Sequence, residues 1–372
     1  MQQFKVGHAR DADWRVASQA CLEQIGDVPL PFNLGFFYVT DAMAAHLSDI
    51  LAYFKSASGI EHWVGTVGLG ICTSGLEYFD CPAIVVMVGA FPKSSFRVFP
   101  TVGASANELA DQDQDWCAIT NAHFGIVHAD PRNPKIPVVV AELADKIMGG
   151  FLVGGLTSSR GAYSQVAQQI TEGGVSGVLF GDDVRVATAL TQSCSPVGEK
   201  HVITECDGNV VVTLDGRAAL EVFQEDVGEL IARDPRKSVG NIFAALSVPG
   251  SDTGDYIVRH LVGFDAERKL LAVDEALTTD RTIAFCCRDA QGAYKDMLRM
   301  LQDIKARAST EPRGGVYYSC VGRGPNLFGG NSEELKIIQA QLGDFPLVGF
   351  FCNGEISHNR LYGYTGVLTL FL

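Results

Sequence analysis

Three groups of polar residues follow apolar, glycine-containing runs: Cys72, Thr73 and Ser74; then Thr157, Ser158, Ser159 and Arg160; then Asn353, Glu355, Ser357 and His358. Hydroxyls, an amide, a carboxyl and a guanidinium gathered beyond strand ends would form the rim of a small-molecule pocket, as ligands do in open α/β sheets. Ser, Thr and Asn also make turns by bonding their own backbone, so the same residues serve architecture equally well. Arg160 and Arg323 are flanked by glycine and can present a planar fork to a carboxylate or phosphate, or serve as salt-bridge residues. Glu355 and His358 stand at ExxH spacing, which on a helix would suit a metal; the surrounding pattern instead predicts a turn, and no metal is assigned. His128, within FGIVHADPR, and His358 are the candidate axial ligands if heme is bound. An enzyme acting on a small acid or amide would use Glu355 or His358 for proton transfer and Cys72 or Cys352 as nucleophile.

Other chemistry is less well supported. GRGPNLFG, residues 322–329, follows a strand and precedes a helix, but its third glycine is displaced and Pro325 interrupts it, so a tight turn is the better reading than a dinucleotide fingerprint. GLTSSRG does not fit the GxSxG of a nucleophile elbow. Ser251, Asp252, Thr253 and Asp255 lie in a glycine-bounded loop without the ligand alternation of a calcium site. The ten cysteines include no CxxC pair and sit mostly in apolar segments, which predicts reduced, core-filling thiols.

The elements that would position these residues repeat. NLGFFYVTDAM returns at HWVGTVGLGICTSG, AHFGIVHADPR is followed by GGFLVGGLTSSRG, and GGVYYSCVGRG by PLVGFFCNGEIS. From the first strand's glycine to the glycine of Val-Gly, the spans are Gly35 to Gly65, Gly125 to Gly154 and Gly315 to Gly349. Between them Leu47, Ile50, Leu51 and Phe54 fall on one helical face, as do Leu335, Ile338 and Leu342, with Asn331 and Glu334 forming a capping box. Tyr294, Met297, Leu301 and Ile304 make another such face. A polar turn and a further strand follow each Val-Gly strand: CPAIVVMVGAF, GVSGVLFGDDVRV and YGYTGVLTLFL. The unit is β-α-β-turn-β, the class α/β with α+β character at the sheet edges. A hairpin turning at Asp207-Gly208 and a helix near Arg217 to Arg233 separate the second and third copies.

LGFFYVTDAM, GIEHWVGTVGLGICTSGLEYFD, VHADPRNP, GGFLVGGLTSSRG, YYSCVGRGPNLFG and GFFCNGEISHNRLYGYTGVLTL, in this order, resemble the FIST family of sensory input modules. The resemblance covers nearly the whole chain from Asn33 and implies an N-terminal FIST-type domain over 33–220 and a C-terminal one over 221–372, after an extension at 1–32. It further implies binding of a small molecule, such as an amino acid, in signal transduction, with heme in one branch. Family members are often joined to output domains. No kinase, cyclase or receiver segment precedes Leu372, so the expected reader is a separate signalling protein. Glu77 lies two residues beyond Gly75 whereas Glu355 adjoins Gly354, which sets the two glutamates apart.

Composition narrows the partners. The formal net charge is −14, without a long basic run, which opposes binding to nucleic acid or anionic lipid. No segment reaches the roughly 18 apolar residues that span a bilayer, and the N-terminus lacks the apolar core of a signal peptide. A cytoplasmic protein without membrane insertion is expected.

Overall fold

A computed structural model describes residues 3–26, 32–233, 241–248 and 256–372. Among these the chain forms two compact units, residues 1–191 with 297–372, and residues 192–296. The loop holding Ser251, Asp252, Thr253 and Asp255 lies outside the described residues.

The first unit contains all three βαβ copies. Leu34–Thr40 runs parallel to His62–Gly68 across helix Leu47–Ser58; Phe124–Ala129 runs parallel to Phe151–Leu156 across helix Ile136–Asp145; Gly314–Cys320 runs parallel to Leu347–Cys352 across helix Glu333–Leu342. The predicted apolar faces are the buried ones: Leu47, Ile50, Leu51 and Phe54 in the first helix, Leu335, Ile338 and Leu342 in the third. The predicted capping box is absent. Ser332 is the N-cap, and Glu334 turns inward to a buried arginine instead. In helix Ala290–Arg307, Met297, Leu301 and Ile304 are buried whereas Tyr294 is exposed.

Each copy builds a six-stranded sheet with one strand order. The antiparallel strands Ala83–Ala90, Val175–Phe180 and Thr365–Phe371 flank the first strand of their respective copies. Gln3–Arg10, Phe96–Val102 and Val186–Gln192 are the corresponding outer strands, so residues ahead of Asn33 supply an edge of the first sheet. Each of the three polar stretches contains a hairpin that is given to another copy, with Thr157, Ser158, Ser159 and Arg160 lying ahead of theirs. Gly70–Thr73 with Leu76–Phe79 joins the third sheet, Gln165–Ala167 with Gln169–Thr171 joins the first, and Glu355–His358 with Arg360–Tyr362 joins the second. Strands of three or four residues with mixed polarity carry too little periodicity to be told from turns.

Close approach of the two parallel strands within each copy explains the Val-Gly signature. A Cβ on Gly65, Gly154 or Gly349 would stand 1.8, 1.8 or 1.7 Å from the carbonyl oxygen of Phe37, Val127 or Tyr317, the matching residue of the neighbouring strand in each copy. Backbone approach that close admits only glycine. Gly349→Ala is therefore expected to destabilise the first unit by about 3 kcal/mol through overpacking. Urea unfolding followed by tryptophan fluorescence measures it, because Trp14, Trp63 and Trp116 all belong to this unit.

Inward-facing residues of all three sheets share one core, including Phe36, Val64, Ile126, Val153, Val316 and Val348. Three residues past each first-strand glycine stand Tyr38, His128 and Tyr318, and they meet. The Tyr38 hydroxyl lies 2.8 Å from the Tyr318 hydroxyl and 3.2 Å from His128 Nε2.

The second unit is antiparallel. Its strands are ordered Cys194–Asp207, Thr282–Arg288, Ile242–Ser247, Tyr256–Asp265, Leu270–Val273, Val210–Leu214 and Arg217–Ala218. Pairing of Cys194–Asp207 with both Thr282–Arg288 and Val210–Leu214 closes the sheet on itself. Asp207 pairs with Val210, so the hairpin turns on Gly208-Asn209, one residue beyond the predicted Asp207-Gly208; Gly208 takes the left-handed φ of 58°.

Candidate functional site

The rim residues lie where the exchanged segments cross, and most are used by the crossing itself. Cys72, Thr73 and Ser74 belong to the hairpin given to the third sheet; the Thr73 and Ser74 hydroxyls donate to the carbonyls of Leu347 and Phe345, at 2.9 and 2.6 Å. Thr157 bonds Thr66 at 2.7 Å. Ser158, in the second copy, accepts from the Leu69 amide of the first and donates to the Phe351 carbonyl of the third. One serine thus ties all three copies. Ser159 accepts from the Gly161 amide, and the Asn353 amide donates to the Leu156 carbonyl.

The two arginines differ in surroundings. Arg160 is 63% exposed and bridges Asp41 and Asp80. Arg323 is fully buried, its Nε 2.7 Å from Glu334 Oε1, and its guanidinium lies 5.0 Å over the Phe328 ring. Both pair with carboxylates of this chain. His358 is exposed at a hairpin tip with φ 60°, and Ser357 beside it is buried in the strand.

Glu355 stands apart. It opens the hairpin strand opposite Gly155, and it is wholly buried. Its Oε2 accepts from the Thr365 amide at 3.1 Å and the Thr365 hydroxyl at 2.8 Å, while Oε1 accepts from no N–H or O–H among the described residues. Burial pushes its carboxyl up to about 8, against the opposing pull of the Thr365 bonds and of Arg323. At neutral pH the group is protonated. With Oε2 accepting twice, the proton belongs on Oε1, so the unpartnered atom is an O–H donor. Tyr364, beside Thr365, holds a left-handed φ of 61°, an uncommon state for a bulky residue.

The strand exchange tells which residues correspond. Glu355, opposite Gly155, matches Gln165, opposite Thr66, and Ile71, opposite Phe350, because each faces the residue that follows a Val-Gly glycine. Gln165 satisfies both ends of its amide, donating to the Gly174 carbonyl and accepting from Ser176. Ile71 is simply core. The scaffold therefore accepts an apolar residue here, and the buried carboxyl is peculiar to the third copy. Glu77 is not its counterpart.

The heme expectation meets the geometry poorly. His128 is wholly enclosed, within 5.5 to 6.2 Å of the rings of Tyr38, Phe350 and Tyr318, and its Nε2 faces the Tyr38 hydroxyl. Burial lowers its imidazole to about 3 and keeps it neutral. A porphyrin could not approach without removing that core. Around His358 the described residues offer one ring contact, Phe151 at 5.5 Å, rather than an apolar slot. The nucleophile expectation meets a similar difficulty: burial raises the thiols of Cys72 and Cys352 well above their usual range, which keeps them protonated. All ten cysteines are free thiols.

Sequence reasoning missed a surface cleft of about 860 Å³ beside the hairpin tip at Gln168, lined by Lys55, His62, Lys93 and Arg97. These residues come from three separate segments, Lys93 and Arg97 sharing one, and follow no motif.

The FIST N domain matches residues 33–217 and the FIST C domain residues 219–358. An uncharacterized protein of Mycobacterium tuberculosis is 27% identical over 379 residues, covering 98% of this chain and 96% of the relative. An uncharacterized protein of Mycobacterium bovis is 28% identical over 389 residues with the same coverage. The solved structure of T. maritima PurL complexed with FGAR aligns over 100% of this chain and 72% of its own at 10% identity; its TM-score of 0.26 carries no argument. No helix among the described residues is long and apolar enough to cross a membrane. With both domain types matched across nearly all of its length, the chain belongs to the FIST family, whose domains are sensory, ligand-binding domains.

Proposed function

We propose that the protein is a cytoplasmic sensor of a small carboxylate or amino acid, bound where the third copy's hairpin crosses into the second sheet. The observation that carries this reading is Glu355. A buried carboxyl with one unpartnered oxygen is costly to keep, on the order of 1–3 kcal/mol for a neutral group, at a place where the first copy uses Ile71. Protonated, its Oε1–H would donate to an oxygen of the ligand, with the solvent-facing Asn353, His358 and Arg160 as further contacts. We place ligand entry at the segment beside Thr365, where Tyr364 holds its left-handed conformation, and movement of that segment is the proposed signal, read by a separate signalling protein.

A thermal-shift screen of amino acids and small carboxylates tests the class of ligand. A ligand that binds only the folded protein raises its midpoint. The expected result is a concentration-dependent rise for one or more carboxylates; no shift with any of them would contradict the reading.

A further inference from the structure

The cleft at Gln168 lies on the first unit, away from Glu355, and has chemistry of its own. Its lining carries the cations Lys55, Lys93 and Arg97 with one carboxylate, Asp113, in a chain of formal net charge −14. Arg97 Nε bonds Asp113 at 2.6 Å, and the remaining edge of that guanidinium has no ion pair among the described residues. Lys93 Nζ likewise has no hydrogen bond or ion pair among the described residues. Lys55 Nζ donates to the Gln168 carbonyl at 2.6 Å, which leaves further donors of its ammonium unassigned.

Gln168 organises the other side. It alone links strands Gln165–Ala167 and Gln169–Thr171, with φ 62°, a left-handed conformation that costs a non-glycine residue about 1–2 kcal/mol. Its amide Nε2 lies 2.9 Å from His62 Nδ1. With the amide donating, Nδ1 is an acceptor and His62 Nε2 carries the hydrogen, a donor on the imidazole's far side. Ser94, also lining the cleft, has φ 68°. All three exchanged hairpins turn left-handed at the tip, at Gly75, Gln168 and His358 with φ 69°, 62° and 60°, so this conformation belongs to the exchange and fixes where Gln168 stands. A second opening of about 620 Å³ shares Lys55, His62 and Gln168.

We propose that this cleft is a second, anion-binding site, taking a small molecule with two anionic oxygen groups, one held by Lys55 and His62 and the other by Lys93 and Arg97. An ammonium or guanidinium with a neighbouring N–H donor recognises the oxygens of a carboxylate or a phosphate alike. The cleft is independent of the Glu355 site, so either can fail alone.

Isothermal titration of the full chain with succinate, citrate and pyrophosphate at low salt tests the assignment. Wild type is expected to bind at least one probe saturably, and the probe that binds tells carboxylate from phosphate. Lys93→Gln should weaken that binding by about tenfold, the loss of one charge-assisted hydrogen bond. His62→Gln should also weaken it. Lys93 lies at the surface without a protein partner among the described residues, so its replacement should keep the fold, which unchanged unfolding by urea would check. Absence of saturable binding by all three probes overturns the proposal, as does equal affinity in wild type and Lys93→Gln.

Discussion

Replacing Arg323 by Leu is expected to destabilise the first unit by about 3–5 kcal/mol, because it strands a charge in the core. Arg323 and Glu334 are both wholly buried, 2.7 Å apart. Glu334 Oε1 also accepts from the Tyr317 hydroxyl at 2.6 Å and the Ser319 hydroxyl at 3.0 Å, and Oε2 from the Gly324 amide at 2.7 Å. These bonds fix the chain turn after strand Gly314–Cys320, next to the Glu355 crossing. Removing Glu334 alone should be comparably costly, whereas Arg323→Leu with Glu334→Leu should recover much of the loss, since neither charge is then left unpaired. Urea unfolding of the four proteins gives the coupling directly. Additive single losses would mean that the two side chains do not act as a pair.

A second large effect is expected in the dependence of stability on pH. Burial raises the Glu355 carboxyl from an ordinary 4.5 to about 8. Between those values the folded protein keeps a proton that the unfolded chain has released. The stability contributed by this group is complete below pH 4.5, falls as pH rises through the interval, and is gone above about pH 8. The full amplitude is on the order of 4–5 kcal/mol. Glu77, raised to about 8 by burial and by the neighbouring Glu334, acts with the same sign. Glu355→Gln isolates one contribution: the variant should match wild type near pH 5 and exceed it in stability near pH 9. Parallel profiles for the two proteins would contradict the buried, protonated state of Glu355.

The architecture was partly legible in the sequence because long, covered strands announce themselves. Gly35, Gly125 and Gly315 start the three parallel pairs, and the Val-Gly positions mark the close backbone approaches at Phe37, Val127 and Tyr317. The exchange of hairpins was not legible. Nothing in ICTSGLEYF or EISHNRLY says which sheet will receive it, since pairing partners are chosen by tertiary packing rather than local pattern. That hidden step is why the rim residues read alike in the sequence yet differ in the fold: Ser158 and Thr157 bind the copies together, Arg323 is locked on Glu334, and Arg160 joins two surface aspartates. Correspondence of Glu355 with Gln165 also needs the register: Ile71 and Glu355 each lie six residues past their own Val-Gly glycine, but Gln165 lies eleven past Gly154. The cleft was invisible for a simpler reason: Lys55 and His62 stand on the first copy and Arg97, with Lys93 just ahead of it, on the outer strand of the second sheet, so only tertiary packing brings them together.

The central claim is that Glu355 is kept for a ligand rather than for the fold. Its most direct test is calorimetric titration of the strongest carboxylate or amino-acid hit into wild type, Glu355→Gln and Glu355→Ile at pH 6.5, using the residues that the second and first copies carry at this place. Gln keeps a donor on the unpartnered side and should retain affinity within a small factor, while Ile, with none, should weaken it by about tenfold or more. Equal affinity in all three folded proteins would show that the ligand does not meet Glu355.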